Sequence, residues 1–371
     1  MKTFDEIKKN FGFGCMRLPM KEGEVDIAET SAMVDAFLAA GFNYFDTAHG
    51  YLDGKSETAL RTCLTSRYAR EDYILVNKLS NHHFKSNEEI RPLFAQQLEA
   101  CGVEYFDFYL MHAQDSKNFE KYKACRAYEE AFKLKEEGKV RHVGLSFHDG
   151  SAVLDKILSE YPQLEVVQIQ LNYMDYEDPS VEGRKCLEVC RKHGKPVIVM
   201  EPVKGGSLVN LPKEAQEVFD ALGGGSNASY AIRFAAGQEG VFMVLSGMGS
   251  VQMMDDNISY MKEFKPLDEK EQEAVAKVCN ILKNQGAIQC TSCAYCTEVC
   301  PKNINIPALF ACMNSKKAFN NWNTNYYYGQ ITKDGKKASD CIGCGGCENI
   351  CPQHLPIREL LVSVTEEFEK E

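Results

Sequence analysis

Eight cysteines stand in two copies of one spacing. The first copy is Cys290, Cys293, Cys296 and Cys300, followed by Pro301; the second is Cys341, Cys344, Cys347 and Cys351, followed by Pro352. Both read C-x2-C-x2-C-x3-C-P, a run that ligates [4Fe–4S] clusters. Three thiolates on a short loop can face one cubane, and the fourth, ahead of a proline, is carried away to the other. On that logic one cluster takes Cys290, Cys293, Cys296 and Cys351, and the other takes Cys341, Cys344, Cys347 and Cys300. The expected chemistry is single-electron transfer. Zinc sites usually pair C-x2-C with a second distant pair and rarely need three cysteines in seven residues. Disulfides need an oxidising compartment, and the first ten residues show no apolar signal region, so a reducing cytoplasm is expected. The other eight cysteines (Cys15, Cys63, Cys101, Cys125, Cys186, Cys190, Cys279 and Cys312) lack ligand spacing and read as small core residues.

A second group of reactive side chains lies at the ends of short apolar runs. One run ends in Asp46, with Tyr51 a few residues on; the next ends in Lys78 and the next in His112. Later runs end in Ser146, pass Gln168 and Gln170 to Asn172, and end in Glu201. Ionisable side chains are costly to bury without a purpose. A single one reads as a satisfied core group; Asp, Lys and His on three consecutive runs point to a catalytic cluster.

The runs themselves lie near Phe11–Cys15, Asn43–Thr47, Tyr73–Lys78, Phe106–His112, Arg141–Ser146, Val166–Leu171, Pro196–Glu201 and Val241–Ser246. Their continuous apolar character fits strands covered on both faces. Between them lie amphipathic segments such as Ile27–Ala40, Asn87–Cys101 and Phe119–Glu137, with Gly41, Gly102, Gly138 and Gly194 where helices should stop. Eight β/α units in about 250 residues describe an α/β fold, the (β/α)8 TIM barrel, whose chemistry sits at the C-terminal ends of the strands. A doubly wound nucleotide fold would want G-x-G-x-x-G after a strand, and Gly12-Phe13-Gly14 is followed by Cys15-Met16-Arg17. The expected organisation is a barrel over residues 1–265, a polar linker helix over 266–288 and an iron–sulfur domain over 289–371. Some forty residues separate the two cysteine runs and include Trp322 and Tyr326-Tyr327-Tyr328. They are expected to fold onto the barrel, fill the core or form a partner surface. The formal net charge of −11 argues against nucleic acid, and no apolar run is long enough to span a membrane.

The string Phe45-Asp46-Thr47-Ala48-His49-Gly50-Tyr51, with Glu57 and Leu60, resembles the signature near the start of aldo-keto reductases. Asn77-Lys78, Leu110-Met111-His112, Gly144-Leu145-Ser146 and Val244-Leu245-Ser246-Gly247-Met248 recur in the same order. The resemblance covers roughly Phe11 to Asn257, and the tail is similar to the branch fused to a bacterial-type two-cluster ferredoxin domain. It implies a catalytic tetrad of Asp46, Tyr51, Lys78 and His112, acting with NAD or NADP on a small-molecule carbonyl or alcohol. A tyrosine hydroxyl titrates near ~10 when unperturbed, and an adjacent Lys78 ammonium is expected to lower that value. Asp46 would position Lys78, and His112 would donate a hydrogen bond to the carbonyl oxygen. The resemblance further implies nicotinamide contacts at Met16, Ser146 and Gln168. It implies a pyrophosphate loop at Val203–Leu208, in which Lys204 supplies charge beside Gly206 and Leu208. Adenine-side contacts would come from Gly247 through Asp256 and Asn257. Two departures stand out. No Lys or Arg follows the eighth run until Lys262, which makes NAD credible, and the aromatic residue that many members stack on the nicotinamide is replaced by Met200 or Glu201.

Hydride transfer moves two electrons at once, whereas each cluster moves one, and no flavin motif is present to mediate. The clusters therefore serve a redox partner protein (a flavoprotein or a ferredoxin), act on an unseen step, or hold the tail together. The rival reading is an electron-transfer protein whose barrel is a docking scaffold. Substrate specificity is expected in the loops His82–Asn87 and Gln114–Phe119 and in the insert between the cysteine runs. His82-His83 reads as a solvated pair rather than a metal site.

Overall fold

In a computed structural model of the chain, residues 4–179, 181–284, 288, 290, 292–319, 323–351 and 353–370 are described. Trp322 lies outside the described residues. Eight parallel strands close into a barrel: Phe11–Gly14, Tyr44–Asp46, Ile74–Leu79, Phe106–Gln114, Val140–Phe147, Val166–Gln170, Val197–Met200 and Val241–Ser246. Each falls where an apolar run predicts it. Below we count them first to eighth.

The interior shows how the strands set the site. Strand side chains alternate sides with period two. Tyr44, Val76, Leu110, Val166 and Ile198 form one apolar cluster with Ile74, Phe108, Met243 and Leu245, closed from below by the Phe4 ring, 5.0 Å from Phe108. Two residues further along the strands, the same alternation puts Asp46, Lys78, His112, Gln168 and Met200 on that face. Ser146 follows by the same step from Gly144. So a dry plug supports a polar layer. The crowding is tight enough that some positions must lack a side chain. A Cβ on Gly144 would lie 2.5 Å from the Val166 carbonyl oxygen and 2.9 Å from Leu110 Cδ2.

Outside, helices pack on every strand through Val34, Phe37, Leu93, Phe94, Leu154, Ile157, Leu187 and Ile232, all buried. The expected stop glycines follow their helices; Gly102 ends Ile90–Cys101 in the left-handed region at φ 67°. The segment expected as one helix over 119–137 is instead two, Ser116–Ala124 and Ala127–Glu136, broken at Arg126 with φ 53°. The break brings Tyr122 and Tyr128, which an unbroken helix would turn to different faces, both against the barrel. Their hydroxyls donate to the Leu79 carbonyl and to Gln114 Oε1 (2.7 Å).

The polar segment after the barrel forms the helix Glu269–Asn284, which packs rather than merely links: Ala274, Val275, Val278 and Leu282 are buried with Phe219 and Tyr230. Beyond it, the helices Ile306–Phe319 and Ile357–Phe368 enclose a small core of Ile304, Leu309, Phe310, Leu361 and Val364, with Cys296 and Cys347 in it. Among the described residues no helix is long and apolar enough to cross a membrane.

Gly144→Ala should lower the melting temperature, at a cost on the order of 1–3 kcal/mol from overpacking. Gly329→Ala, on an exposed turn of Asn323–Ile331 with nothing within 4 Å of the added methyl, should raise it slightly. Thermal unfolding of the two variants measures both signs, and a neutral Gly144→Ala would contradict the packing described.

Candidate active site

Lys78 is almost wholly buried, and its ammonium has three donors to satisfy. They go to Asp46 Oδ1 at 2.6 Å, the Thr47 carbonyl at 2.7 Å and Tyr51 Oη at 3.2 Å. Asp46 and Lys78 come from the second and third strands, and Tyr51 from the loop above the second. Burial works against the charge on Lys78, but Asp46 and Tyr51 outweigh it and hold the ammonium above its usual range. Burial raises Asp46 and Tyr51 in turn, and Lys78 opposes both shifts without cancelling them. The expectation that Lys78 lowers Tyr51 is therefore corrected. The lysine does pull in that direction, but desolvation of the phenolate is larger, so the Tyr51 hydroxyl is held above its ordinary value and stays a neutral phenol at pH 7.

His112, at the end of the fourth strand, meets the Tyr51 ring edge-on at 5.9 Å. Burial, aided by the Lys78 charge, holds its imidazole well below the usual histidine range, so it is neutral at pH 7. Its Nδ1 lies 2.6 Å from Ser80 Oγ. With Ser80 donating to Nδ1, the ring proton sits on Nε2 and can be offered to an oxygen. Ser80 was not legible as a site residue, because a serine just past a strand carries no signal of its own.

Behind these groups runs a buried polar chain. Glu57 accepts from Asn77 Nδ2 at 2.7 Å and pairs with His49 Nδ1 at 2.8 Å. Asn77 Oδ1 in turn accepts from the Lys78 amide at 2.8 Å and from Gln97 at 3.0 Å. Glu57 and Asn77 of the signature thus brace the Lys78 backbone, with Gln97 added by the fold.

The residues expected to hold a nicotinamide cofactor are scattered around the mouth. Ser146 and Gln168 are register partners on neighbouring strands, and Ser146 Oγ accepts from the Ala113 amide at 2.8 Å. Met16 is 45% exposed at the first loop. Gly206 has open space around its Cα, Leu208 is core, and Asp256 accepts from Ser226 at 2.7 Å. Asn257 donates to Ser246 Oγ at 2.8 Å. Lys204 is a correction: its ammonium is buried against Asp175 at 2.5 Å, so a carboxylate already meets the charge expected to face phosphates. Arg17 was missed. It lies 27 residues before the second strand's start in no recognisable motif, yet its side chain packs 3.3 Å from the Cβ position of Gly247. The first loop thereby brings a guanidinium to the segment whose own sequence lacks one.

The helix Asn323–Ile331, between the cysteine runs, docks across the mouth. Asn323 Nδ2 reaches both carboxylate oxygens of Glu201, at 2.6 and 2.7 Å. Tyr327 donates to Gln170, Tyr326 meets His148 edge-on at 6.0 Å, and Gln330 donates to Asp115 at 3.3 Å. Of the expected roles for this insert, folding onto the barrel is observed, and so is core filling: Tyr328 is buried in the tail core and Tyr327 with Val181 and Cys312. Glu201, with φ 56°, is raised by burial and pulled back by Asn323.

In the tail, one cavity is lined by Cys290, Cys293, Cys296 and Cys351, with Ile306, Phe310, Leu355 and Ile357 as apolar walls. A second is lined by Cys300, Cys341, Cys344 and Cys347, with Ile304, Ile342 and Leu361. None of these cysteines is in a disulfide, and each cavity takes three from one run and one from the other, the crossed arrangement that the spacing predicts. Four thiols converging on an apolar hollow suit a thiolate-ligated cluster.

Residues 10–280 match the aldo/keto reductase family and residues 289–355 match the 4Fe-4S dicluster domain. The chain therefore belongs to the aldo/keto reductase family, with a 4Fe-4S dicluster domain following the barrel. It is similar to the NADH-specific methylglyoxal reductase of Escherichia coli (strain K12), 27% identical over 229 residues, covering 56% of this chain and 67% of the relative. It is also similar to L-galactose dehydrogenase of Arabidopsis thaliana, 25% identical over 293 residues, covering 73% of this chain and 90% of the relative. An aldo-keto reductase from Klebsiella pneumoniae, solved in complex with NADPH, superposes with a TM-score of 0.60 at 19% identity, covering 72% of this chain and 90% of that one. That likeness concerns the fold.

Imidazole nitrogen chemical shifts should report His112 as neutral at pH 7 with its proton on Nε2, charging only well below pH 6.5. Titration of that ring near its ordinary value of about 6.5 would contradict its burial beside the Lys78 ammonium.

Proposed function

We propose that the barrel transfers hydride between a nicotinamide, NAD or NADP, and a small-molecule carbonyl or alcohol. The observation that carries the reading is the buried Lys78 ammonium joining Asp46 to the hydroxyl of Tyr51. A bound nicotinamide supplies or takes up the hydride, and Met16, Ser146, Gln168 and the loop of Gly206 and Leu208 are the residues that would hold it, with Gly247, Asp256 and Asn257 on the adenine side. The catalytic work of the chain is on the proton. His112 Nε2–H polarises the carbonyl oxygen, and Tyr51 gives its proton to that oxygen as alkoxide charge develops. Lys78 then stabilises the phenolate left behind, at the moment its charge appears. In the alcohol direction the same groups work in reverse. The relatives act, by their names, on methylglyoxal and L-galactose, which supports a small carbonyl or alcohol here.

The converging thiols support two [4Fe–4S] clusters, held by Cys290, Cys293, Cys296 and Cys351 and by Cys341, Cys344, Cys347 and Cys300. Such clusters exchange single electrons, which a hydride couple cannot take without a mediator, so they face a separate redox partner protein, a flavoprotein or a ferredoxin. The intact Lys78 cluster speaks against a barrel that is only a scaffold.

Tyr51→Phe should lower the turnover rate of carbonyl reduction by about 10²–10⁴ while cofactor affinity holds. Because the proton donor is a phenol raised above 10 and His112 is neutral, the wild-type rate should stay level from about pH 6 to 9. It should fall only as pH rises through the Tyr51 value. A rate that halves between pH 6 and 8 would sink this assignment. For the clusters, anaerobic protein should hold about eight irons. The pair Cys290→Ser with Cys351→Ser should leave one cluster, whereas Cys290→Ser with Cys300→Ser, both from one run, should damage both. Iron and sulfide analysis separates crossed from uncrossed ligation.

A further inference from the structure

The two cysteine runs belong to an internal repeat. The cysteines of the first recur 51 residues later, and so does the start of the helix that follows, Ile306 and then Ile357. The repeat also equates the two cavities. Ala294 lines the first where Gly345 lines the second, Phe310 matches Leu361, and Leu355 matches Ile304. Matched cysteines are matched in exposure. Cys293 and Cys344 are exposed, Cys296 and Cys347 are buried, and the other four lie between. Access of water therefore does not distinguish the two sites.

Charge does. Pro307 and Gln353 line the first cavity, and at the same two positions of the repeat Arg358 and Lys302 line the second. Among the described residues no charged side chain lines the first cavity. The guanidinium carbon of Arg358 lies 3.8 Å from the Cβ position of Gly345, inside the run from Cys341 to Cys347. Glu348 pairs with Arg358 at 2.7 Å and takes up part of its charge, but it does not line the cavity. Lys302 makes no ion pair among the described residues. In the first run Thr297 stands at the position of Glu348, and its neutral hydroxyl beside Cys296 is a weaker donor than a full charge.

The surroundings add to the difference. Cys290, Pro307 and Gln353 also border a groove shared with the barrel, where Asp175, Glu177 and Asp178 outnumber Lys204 and Lys283. Among the described residues, none from the barrel lines the second cavity. Ile306 lines both, so the two sites are neighbours.

Reduction adds one negative charge to a thiolate-ligated cluster, and nearby positive charge favours it. We propose that Lys302 and Arg358 make the second site the first to be reduced, so that a single electron in the domain rests at Cys341, Cys344, Cys347 and Cys300, in the cavity that no barrel residue lines. The inference rests on the reading of both cavities as [4Fe–4S] sites. Lys302 and Arg358 do no chemistry themselves. They set the order in which two otherwise equivalent sites fill, and with it the end of the domain at which an electron is held.

The test is a potentiometric titration of anaerobically purified full-length holoprotein, followed by low-temperature electron paramagnetic resonance. Wild type should be reduced in two one-electron steps, with at least about a tenfold preference for one site, which is about 59 mV for such a couple. Lys302→Gln with Arg358→Gln should draw the upper step down and narrow the gap. Gln353→Lys, at an exposed position, should raise the lower step and narrow the gap from the other side. A gap that stays or widens in either variant, or a wild type without two steps, overturns the proposal. If the double variant does not load with iron, Gln353→Lys decides by itself. Iron and sulfide analysis separates the two possible failures. Wild type holding far fewer than about eight irons overturns the cluster reading and this inference with it, whereas loaded protein with an unchanged gap overturns this inference alone.

Discussion

One buried ammonium organises the barrel mouth. Taking a lysine's charge out of water costs several kcal/mol even after relaxation, and the cost is offset only if every donor is met with good geometry. Lys78 meets that condition through Asp46 on the neighbouring strand, the Thr47 carbonyl and Tyr51. Two strands must therefore hold register, and the loop above them must return Tyr51 to the same point. The apolar plug beneath, from Phe4 to Leu245, keeps water from reaching the pair from below. The neighbours' protonation follows from the same burial. His112 stays neutral beside a cation, and Tyr51 stays protonated because a phenolate is poorly solvated there.

The second constraint is that the tail is part of the mouth. The helix Asn323–Ile331 lies between the cysteine runs and reaches Glu201, Gln170, Asp115 and the His148 ring. The crossed cysteines bind both ends of this insert to one small core, so whatever orders that core also orders the roof over the barrel. Glu201 marks the junction: its carboxylate at the barrel mouth is satisfied by the Asn323 amide of the insert helix.

Much of this was legible in order along the chain, because its signals are local. The eight apolar runs became eight strands, since a fully covered strand must be apolar along its length. The cysteine spacing anticipated the crossed lining of the two cavities, Cys351 joining the first run and Cys300 the second. Asp46, Lys78 and His112 stood out as ionisable residues at the ends of apolar runs. Where reading failed, the competing effect came from elsewhere in the molecule. Lys204 was expected to face phosphates, but Asp175, 29 residues earlier, claims its charge. Tyr51 was expected to acidify, but burial by the assembled mouth outweighs its lysine.

What the amino-acid order determined by itself was the set of parts: barrel periodicity, the ionisable side chains at the strand ends, and cysteines spaced to share two cavities. These depend on residue type and spacing over a few turns or strands of chain. Only the tertiary structure decided which partners they meet. It brought Arg17 to Gly247, set Ser80 on His112, laid Tyr326 against His148 and closed Asn323 on Glu201. Such pairings are fixed by barrel closure and by docking of the tail, where distance along the chain says nothing about distance in space.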